Sequence, residues 1–373
     1  MPENLKFMEK IRSRKNFIEL SLKATAGVAV APLALQSVAC SLTGPSSEKK
    51  YTVSIARIKN GNIGYAVEEA IDLLGGIGSV ANGKERIMLK PNLVAESPVF
   101  TTKPEITRAL AQLMINSGKE VLIGEGSASG EGFNRKQGVD YRTTNREILD
   151  GMQQFVFDEL GYTELAEALG IPLINLHSGE MVDVAVPNAF AFDRITLHQS
   201  LQDIDLLCSV PMMKTHVLAT VTLGMKNLIG LYPGTAYCSV RACVHDQATD
   251  RESPGVAFET IDMVRVNKLG LVVVDGSMAM EGDGPSAGTL VPMNVIIAGT
   301  NPLATDMVAA SVMGFEMDEI PTFALASDIG MGPTSLSEIE VRGTGIKDVR
   351  RNFSKPNILA WNQIRDSWGS QVL

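Results

Sequence analysis

Pro211-Met-Met-Lys214-Thr215-His216 and Thr222-Leu-Gly-Met-Lys226-Asn227 set ammonium, imidazole, hydroxyl and amide groups into an otherwise apolar stretch. Such groups are costly to bury unless something pairs with them. Two arrangements satisfy them: acidic residues from elsewhere in the chain, or an anionic ligand. Lys214 and His216 are two apart, so in an extended segment both side chains face one way. Thr222 and Lys226 are four apart and share one face if the segment is helical. Lys90, in Lys90-Pro91-Asn92, adds a third ammonium group. The expectation is that Lys90, Lys214 and Lys226 clamp a phosphate or carboxylate while Asn92, Thr222 and Asn227 orient it. His216 is the first choice for moving a proton, since free imidazole titrates near neutral pH. His245, in Cys243-Val-His-Asp-Gln247, is the second. His177 and His198 read as loop or surface histidines.

Carboxylates come from Glu125-Gly126-Ser127, Asp275-Gly276 and Glu281-Gly-Asp283-Gly-Pro285. Glu125 and Ser127 are assigned to ligand binding. Asp275, Glu281 and Asp283 suit a hard divalent cation such as magnesium, calcium or manganese, or they oppose the lysines. The Gly-Asp-Gly-Pro run is also turn chemistry in its own right. Asp306, one turn into a segment opened by Pro302, either satisfies a helix N-terminus or faces the site. Gly124-Glu-Gly-Ser-Ala-Ser-Gly130 narrowly misses a dinucleotide-binding fingerprint, because Ser129 stands where the third glycine belongs.

These groups need a scaffold that brings them together. Strand patterns occur at 51–58, 86–90, 120–124, 205–210, 269–274 and 291–298. Helical patterns occur at 63–75, 104–114, 146–160, 163–169, 219–231, 257–266 and 302–313. Pro104 and Pro302 sit in first turns, where a missing N–H is harmless. Alternating strands and helices imply an α/β fold, with a parallel or mostly parallel central sheet flanked by helices. Residues 172–198 alternate like a smaller inserted antiparallel region. Residues 126–145 and 235–255 read as polar loops, the first long enough to be functional. In an open parallel sheet, ligands bind outside the carboxyl ends of the strands. Four strand ends, after residues 90, 124, 210 and 274, deliver ionisable groups to that edge.

The chain has 373 residues, a formal charge of −9, 45% hydrophobic residues and 5% aromatics. An acidic balance argues against nucleic acid, whose phosphates need clustered Lys and Arg. Residues 1–39 read as an export signal: six basic residues lead into the uncharged run Ala24–Ala39. Ser13-Arg-Lys-Asn-Phe-Ile18 is similar to a twin-arginine motif, with Lys15 in place of the second Arg. Ser37-Val-Ala-Cys40 is similar to a lipoprotein cleavage site, with Ser37 where Leu is usual, which makes Cys40 a lipid-anchor candidate and the only route to a membrane; ordinary signal-peptidase cleavage after Ala39 fits nearly as well. An amphipathic helix packed on the domain is the alternative. Residues 40–50 read as a tether and 346–373 as a C-terminal tail. Of the remaining cysteines, Cys208 reads as a core thiol, and Cys238 and Cys243 could pair in an oxidising compartment.

Taken in order, Lys90-Pro-Asn92, Glu125-Gly-Ser127, Pro211 through His216, Thr222 through Gly230, Asp275-Gly276, Glu281 through Pro285 and Ala298-Gly-Thr-Asn-Pro-Leu-Ala-Thr-Asp306 resemble the domain-of-unknown-function 362 family over residues 51–345. The resemblance implies a fold and a set of site residues, not a reaction. Some family members carry ferredoxin-like cysteine repeats, which implies a redox setting and a redox partner protein. No such repeat exists here, so an iron–sulfur cluster within this chain is not expected. The resulting expectation is an exported, cell-envelope enzyme acting on a small anionic metabolite. The alternative is a non-catalytic protein that captures a metal, cofactor or other ligand.

Overall fold

The computed structural model describes residues 51–357. The segments expected to be an export signal and a tether with Cys40, and the last part of the C-terminal tail, lie outside the described residues. In chain order the strands are β1 (Tyr51–Arg57), β2 (Arg86–Pro91), β3 (Glu120–Glu125), β4 (Arg135–Lys136), β5 (Val139–Asp140), β6 (Leu173–Asn175), β7 (Met181–Ala185), β8 (Arg194–His198), β9 (Leu206–Val210), β10 (Met212–His216), β11 (Thr220–Thr222), β12 (Leu269–Glu281), β13 (Thr289–Val291), β14 (Val295–Gly299) and β15 (Ile339–Gly343). The helices of two turns or more are α1 (Ile63–Asp72), α2 (Pro104–Asn116), α3 (Arg146–Glu159), α4 (Tyr162–Leu169), α5 (Ala242–Asp250), α6 (Ala257–Val266), α7 (Pro302–Val312) and α8 (Pro321–Asp328).

Eight strands follow one path, β15-β1-β14-β12-β9-β2-β3-β6. β12, β9, β2, β3 and β6 are parallel neighbours. β14 alone is reversed, between β1 and β12. Alternation along the strands feeds two cores, as a sheet covered on both faces requires. Ile87, Leu89, Val121, Ile123, Leu206 and Cys208 pack toward α1–α4. Met88, Leu122, Leu207, Val272 and Val274 pack toward α6–α8. Helix starts are locally coded: the Asn62, Asn145 and Asn301 side chains each accept an amide N–H of the first turn, and such caps stabilise by about 1 kcal/mol each.

The winding of the sheet dictates where a site can form. From β2 the chain moves outward to β3 and β6. It then returns to lay β9 on the other side of β2, and β12 beyond that. The direction of winding reverses between β2 and β9, and a crevice opens there at the carboxyl ends. Lys90 and Ser209 are in-register neighbours across this junction.

The α/β class, the mostly parallel sheet and the flanking helices are as expected, with four differences. Residues 219–231 are not a helix: β11 pairs back onto β10, with Lys214 opposite Thr222, and a 3-10 segment, Lys226–Leu231, follows. Residues 235–255 are not mainly loop but contain α5. The strand from Leu269 runs on to Glu281, because its second half carries β10 on one side and β13 on the other. Of the inserted antiparallel region, only β7 and β8 form a hairpin. β6 joins the main sheet as a parallel edge strand.

Candidate functional site

A cleft of roughly 280 Å³ opens at the β2–β9 junction. Among its lining residues are Lys90, Asn92, Glu125, His216, Thr222, Lys226, Asn227, His245 and Asp283, all singled out from the sequence. β2 supplies Lys90, and Asn92 follows directly after it. Glu125 ends β3, His216 ends β10 and Thr222 ends β11. The 3-10 segment after β11 contributes Lys226 and Asn227, and α5 contributes His245.

The three lysines have different surroundings. Lys90 Nζ lies 2.8 Å from Glu125 Oε1, and both side chains are fully buried. Burial lowers the Lys90 pKa and the Glu125 charge opposes that. The same Nζ donates to Asn227 Oδ1 at 3.1 Å and to the Pro91 carbonyl at 3.0 Å. Glu125 is itself held by the amides of Gly126 and Leu93. Lys214 does not line the cleft. Its Nζ donates to the Phe100 carbonyl at 2.6 Å and lies 5.9 Å from the Phe100 ring centroid. Burial, followed by the nearby Lys226 charge, holds its pKa well below the ordinary lysine value. Lys226 makes no side-chain hydrogen bond or ion pair among the described residues, and burial, then the Lys90 and Arg241 charges, lower it to about 7.

His216 Nδ1 accepts amide N–H groups from Leu218 at 3.1 Å and Ala219 at 3.3 Å. That fixes the tautomer: Nδ1 is the acceptor and Nε2 carries the hydrogen. Burial, followed by the positive charge of Lys226, holds the His216 pKa well below its usual value, so the ring is neutral. His216 is therefore built as a hydrogen-bond donor rather than as the proton-moving base expected from its residue type. His245 is also neutral. Burial first, then Lys226 and Arg241, bring it to about 3, against hydrogen bonds to the Val240 and Arg241 backbone.

Asn227 is the hub of the polar network. Its Oδ1 accepts from Lys90 Nζ and from Asn92 Nδ2, each at 3.1 Å. Its Nδ2 donates to the Lys90 carbonyl and to Ser209 Oγ. Three further oxygens of the lining, Asn92 Oδ1, Thr222 Oγ1 and Ser129 Oγ, are buried with no hydrogen-bond partner among the described residues. Buried polar atoms are usually paired, so three orphans in the lining of one cleft are a feature of a ligand site. Gly126 and Gly230 permit this packing. A Cβ on Gly230 would meet Lys90 Nζ at 2.8 Å and Glu125 Oε1 at 2.9 Å, and one on Gly126 would meet an Arg241 nitrogen at 2.8 Å.

Arg241 is the main residue that sequence reasoning missed. It lines the cleft, and its guanidinium donates to the carbonyls of Ser127 (3.1 Å), Gly230 (2.7 Å) and Gly126. No carboxylate lies within ion-pair distance of it among the described residues, and its Nε is buried without a partner. Cys238, Val240 and Arg241 all have positive φ, at 60°, 48° and 56°. Such conformations are costly for non-glycine residues and cluster at functional sites. A disulfide between Cys238 and Cys243, with Cα atoms 5.8 Å apart, closes this segment, as their spacing had allowed. The signal was available: Val240-Arg-Ala-Cys-Val244 is another cation in an apolar run.

The expected cation site does not assemble. Asp275 is buried away from the cleft, accepting from the Lys103 amide and from Ser277, and burial raises its pKa. Glu281 accepts from the Ser354 amide and faces Arg351 at 3.7 Å. Asp283 is exposed at the mouth and accepts from the Asn357 amide. Among the described residues no three His, Cys, Asp or Glu side chains converge as metal ligands. These carboxylates instead satisfy local backbone donors, the other option their turn setting offers. Ser127 does not line the cleft either. Its hydroxyl accepts from Gln153 and its carbonyl accepts from Arg241, so it shapes the loop behind the site. His177 is not a surface histidine: it is fully buried, with Nε2 2.8 Å from the Ser127 carbonyl and Nδ1 accepting the Gly234 amide. Asp306 accepts the amides of Gly224 (2.7 Å) and Met225 (2.9 Å), anchoring the turn before Lys226.

The model of the family described as "Domain of unknown function (DUF362)" matches residues 87–311, more than half of the chain. The chain belongs to the DUF362 family. The DUF362 match runs from β2 into α7 and contains every cleft residue named above. The chain is also 26% identical over 290 residues to the thylakoid-associated protein sll1697 of Synechocystis sp., spanning 76% of this chain and 81% of that one. Solved structures similar to this one include the lactate racemase apoprotein of Thermoanaerobacterium thermosaccharolyticum, with TM-score 0.43 and 13% identity. A Thermotoga maritima protein is similar at TM-score 0.40 and 12% identity. They match 72% and 71% of this chain, which spans only 58% and 59% of theirs. Among the described residues no helix is long and apolar enough to cross a membrane.

Proposed function

We propose that this DUF362 protein is an enzyme that binds a small anionic metabolite in the β2–β9 cleft and moves a proton on it. One observation carries the reading: Lys226 and Arg241 bring positive charge into the cleft with no carboxylate among the described residues in ion-pair contact, whereas Lys90 is already neutralised by Glu125. Unpaired cations held in a concave, partly dehydrated site favour an anionic ligand. Arg241, permanently charged and fixed by three carbonyls, holds the anion. Lys226, lowered to about 7, is matched to proton transfer at neutral pH. As the neutral amine it accepts a proton from the bound ligand and returns it as the ammonium. His216 Nε2–H donates to oxygen that gains negative charge, the role of a positioned neutral donor. The export signal proposed for residues 1–39 and a lipid anchor at Cys40 would place this activity at the cell envelope.

Calorimetric titration with phosphate, sulfate, acetate and methyl phosphate tests the binding step. Wild type should bind at least one of these anions, and Lys226→Met and Arg241→Met should each weaken it about tenfold or more. Equal affinity in all three proteins would refute the site. Any anionic metabolite found to bind is then followed by NMR in deuterium oxide. Exchange of a ligand proton that stops in Lys226→Met supports catalysis. Binding with no exchange or turnover supports the alternative, a protein that captures its ligand.

A further inference from the structure

The network around Asn227 specifies more than charge. Lys90 Nζ can only donate, so the atom of Asn227 facing it at 3.1 Å must be the oxygen. With Oδ1 there, Asn227 Nδ2 donates to the Lys90 carbonyl at 3.2 Å and to Ser209 Oγ at 3.0 Å. Reversing the amide would set Nδ2 against an ammonium group and Oδ1 against a carbonyl. The orientation therefore passes to the next residue. Asn92 must present its Nδ2 to Asn227 Oδ1, which leaves Asn92 Oδ1 as an acceptor. That oxygen is buried and has no hydrogen-bond partner among the described residues, in a residue that is 9% exposed and lines the cleft. The Thr222 and Ser129 hydroxyls can rotate to give or accept a hydrogen bond, so they impose no demand. Asn92 Oδ1 cannot adapt, because its polarity is set by a lysine two hydrogen bonds away.

Given the anion site proposed above, on which this rests, we infer that the ligand of the cleft carries, beside its anionic group, an O–H or N–H donor that meets Asn92 Oδ1. The chemical class is a small hydroxy- or amino-substituted carboxylate or phosphate, rather than a bare anion. A site whose buried acceptor is left unpaired discriminates strongly against an analogue lacking the donor.

Ligand-detected NMR titration of the purified chain with matched sets tests this. One set is acetate, glycolate and glycine; the other is methyl phosphate, 2-hydroxyethyl phosphate and 2-aminoethyl phosphate. Within at least one set, a donor-bearing member should bind about tenfold or more tighter than the bare anion. The hydroxyl and amine arms show which donor is read. In Asn92→Leu, with its melting temperature checked, that preference should collapse while the bare anion still binds. If anions bind but no donor-bearing member gains affinity in either set, the donor requirement is wrong and the anion site stands. If none of the six, nor phosphate or sulfate, binds wild type, the anion site itself is wrong and this inference falls with it. A preference that survives unchanged in a folded Asn92→Leu protein would overturn the assignment to Asn92.

Discussion

Lys226 gives the most quantitative handle on the site. Its pKa is about 7 in the folded protein against 10.5 for an unperturbed lysine. Each tenfold change in proton affinity is about 1.4 kcal/mol, so the half-buried ammonium, set beside two other cations, costs up to about 5 kcal/mol at low pH, less what solvent screens. The sign comes from proton linkage. Below pH 7 both states carry the proton and the full cost is present. Between pH 7 and 10.5 only the unfolded chain holds it, so stability rises with pH through that window. From pH 6 to pH 9 the calculated relief is about 2.6 kcal/mol. Lys226→Met removes the titration while keeping a chain of similar length. Wild type and Lys226→Met should be unfolded in urea at fixed ionic strength at pH 6, 7, 8 and 9. The stability of wild type relative to the variant should improve by about 2–3 kcal/mol across the series. Groups common to both proteins, including Asp306, largely cancel in that difference. A bound anion should shrink the gap at pH 6, because it stabilises the ammonium form. A gap constant within about 0.5 kcal/mol from pH 6 to pH 9 would refute the claim that this half-buried ammonium sits beside other cations without a counter-charge.

Other perturbations test the same geometry. Glu125→Gln strands the buried Lys90 ammonium and should cost about 3–5 kcal/mol in chemical denaturation. Adding Lys90→Met should recover a large part of that loss, and a double mutant as unstable as the sum of its parts would contradict the pairing. Gly230→Ala drives a methyl group to 2.8 Å from Lys90 Nζ. It should lower stability by about 1–3 kcal/mol and weaken anion binding; an unchanged melting temperature would show that the wall yields. Asp306 is held up at about 7 by burial, against its two amide hydrogen bonds. Its raised pKa means that its contribution is present below the unfolded value of 3.8 and is lost as pH rises toward 7. Asp306→Asn should thus gain on wild type by up to about 4 kcal/mol between pH 4 and pH 7. Parallel curves would show that the carboxyl ionises normally.

Much of this fold could be read from the chain because its central strands are short apolar runs bounded by Gly, Pro or a charge, and five of its eight longer helices begin at Asn or Pro. The reading failed where local pattern and tertiary demand diverge. Residues 219–231 have helical spacing of apolar groups, yet Thr220 takes φ 66° and turns the chain back so that β11 can pair with β10. No glycine or Asn-Gly pair marks that turn. Lys226 and Thr222 still share the cleft, but through a hairpin and a 3-10 turn rather than one helix face. α5 was hidden by its polar composition, and its start is set by three left-handed residues and a disulfide that no periodicity encodes. The carboxylates at 275, 281 and 283 were grouped by closeness in sequence. β12 carries the first two six residues apart along a continuous strand, which prevents a common focus.

A buried ion pair is weak support for stability, because desolvating two charges offsets most of their attraction. The Lys90–Glu125 pair at the β2–β9 junction therefore calls for another reason. A neutral pair of similar shape would fill the same space but would not define which end of Asn227 faces which neighbour. With a group that can only donate at one end, Asn227 has one orientation, Asn92 inherits one orientation, and the cleft acquires an acceptor of fixed polarity. Buried polar groups of this kind can specify one arrangement where an apolar core would leave several. Under the proposed function Lys90 acts on the ligand through two amides rather than by contact, Arg241 holds the anion, and Lys226 carries the titratable charge. The three lysines that seemed interchangeable by residue type are separated by what each one touches: a carboxylate, a carbonyl beside an aromatic ring, and the open cleft.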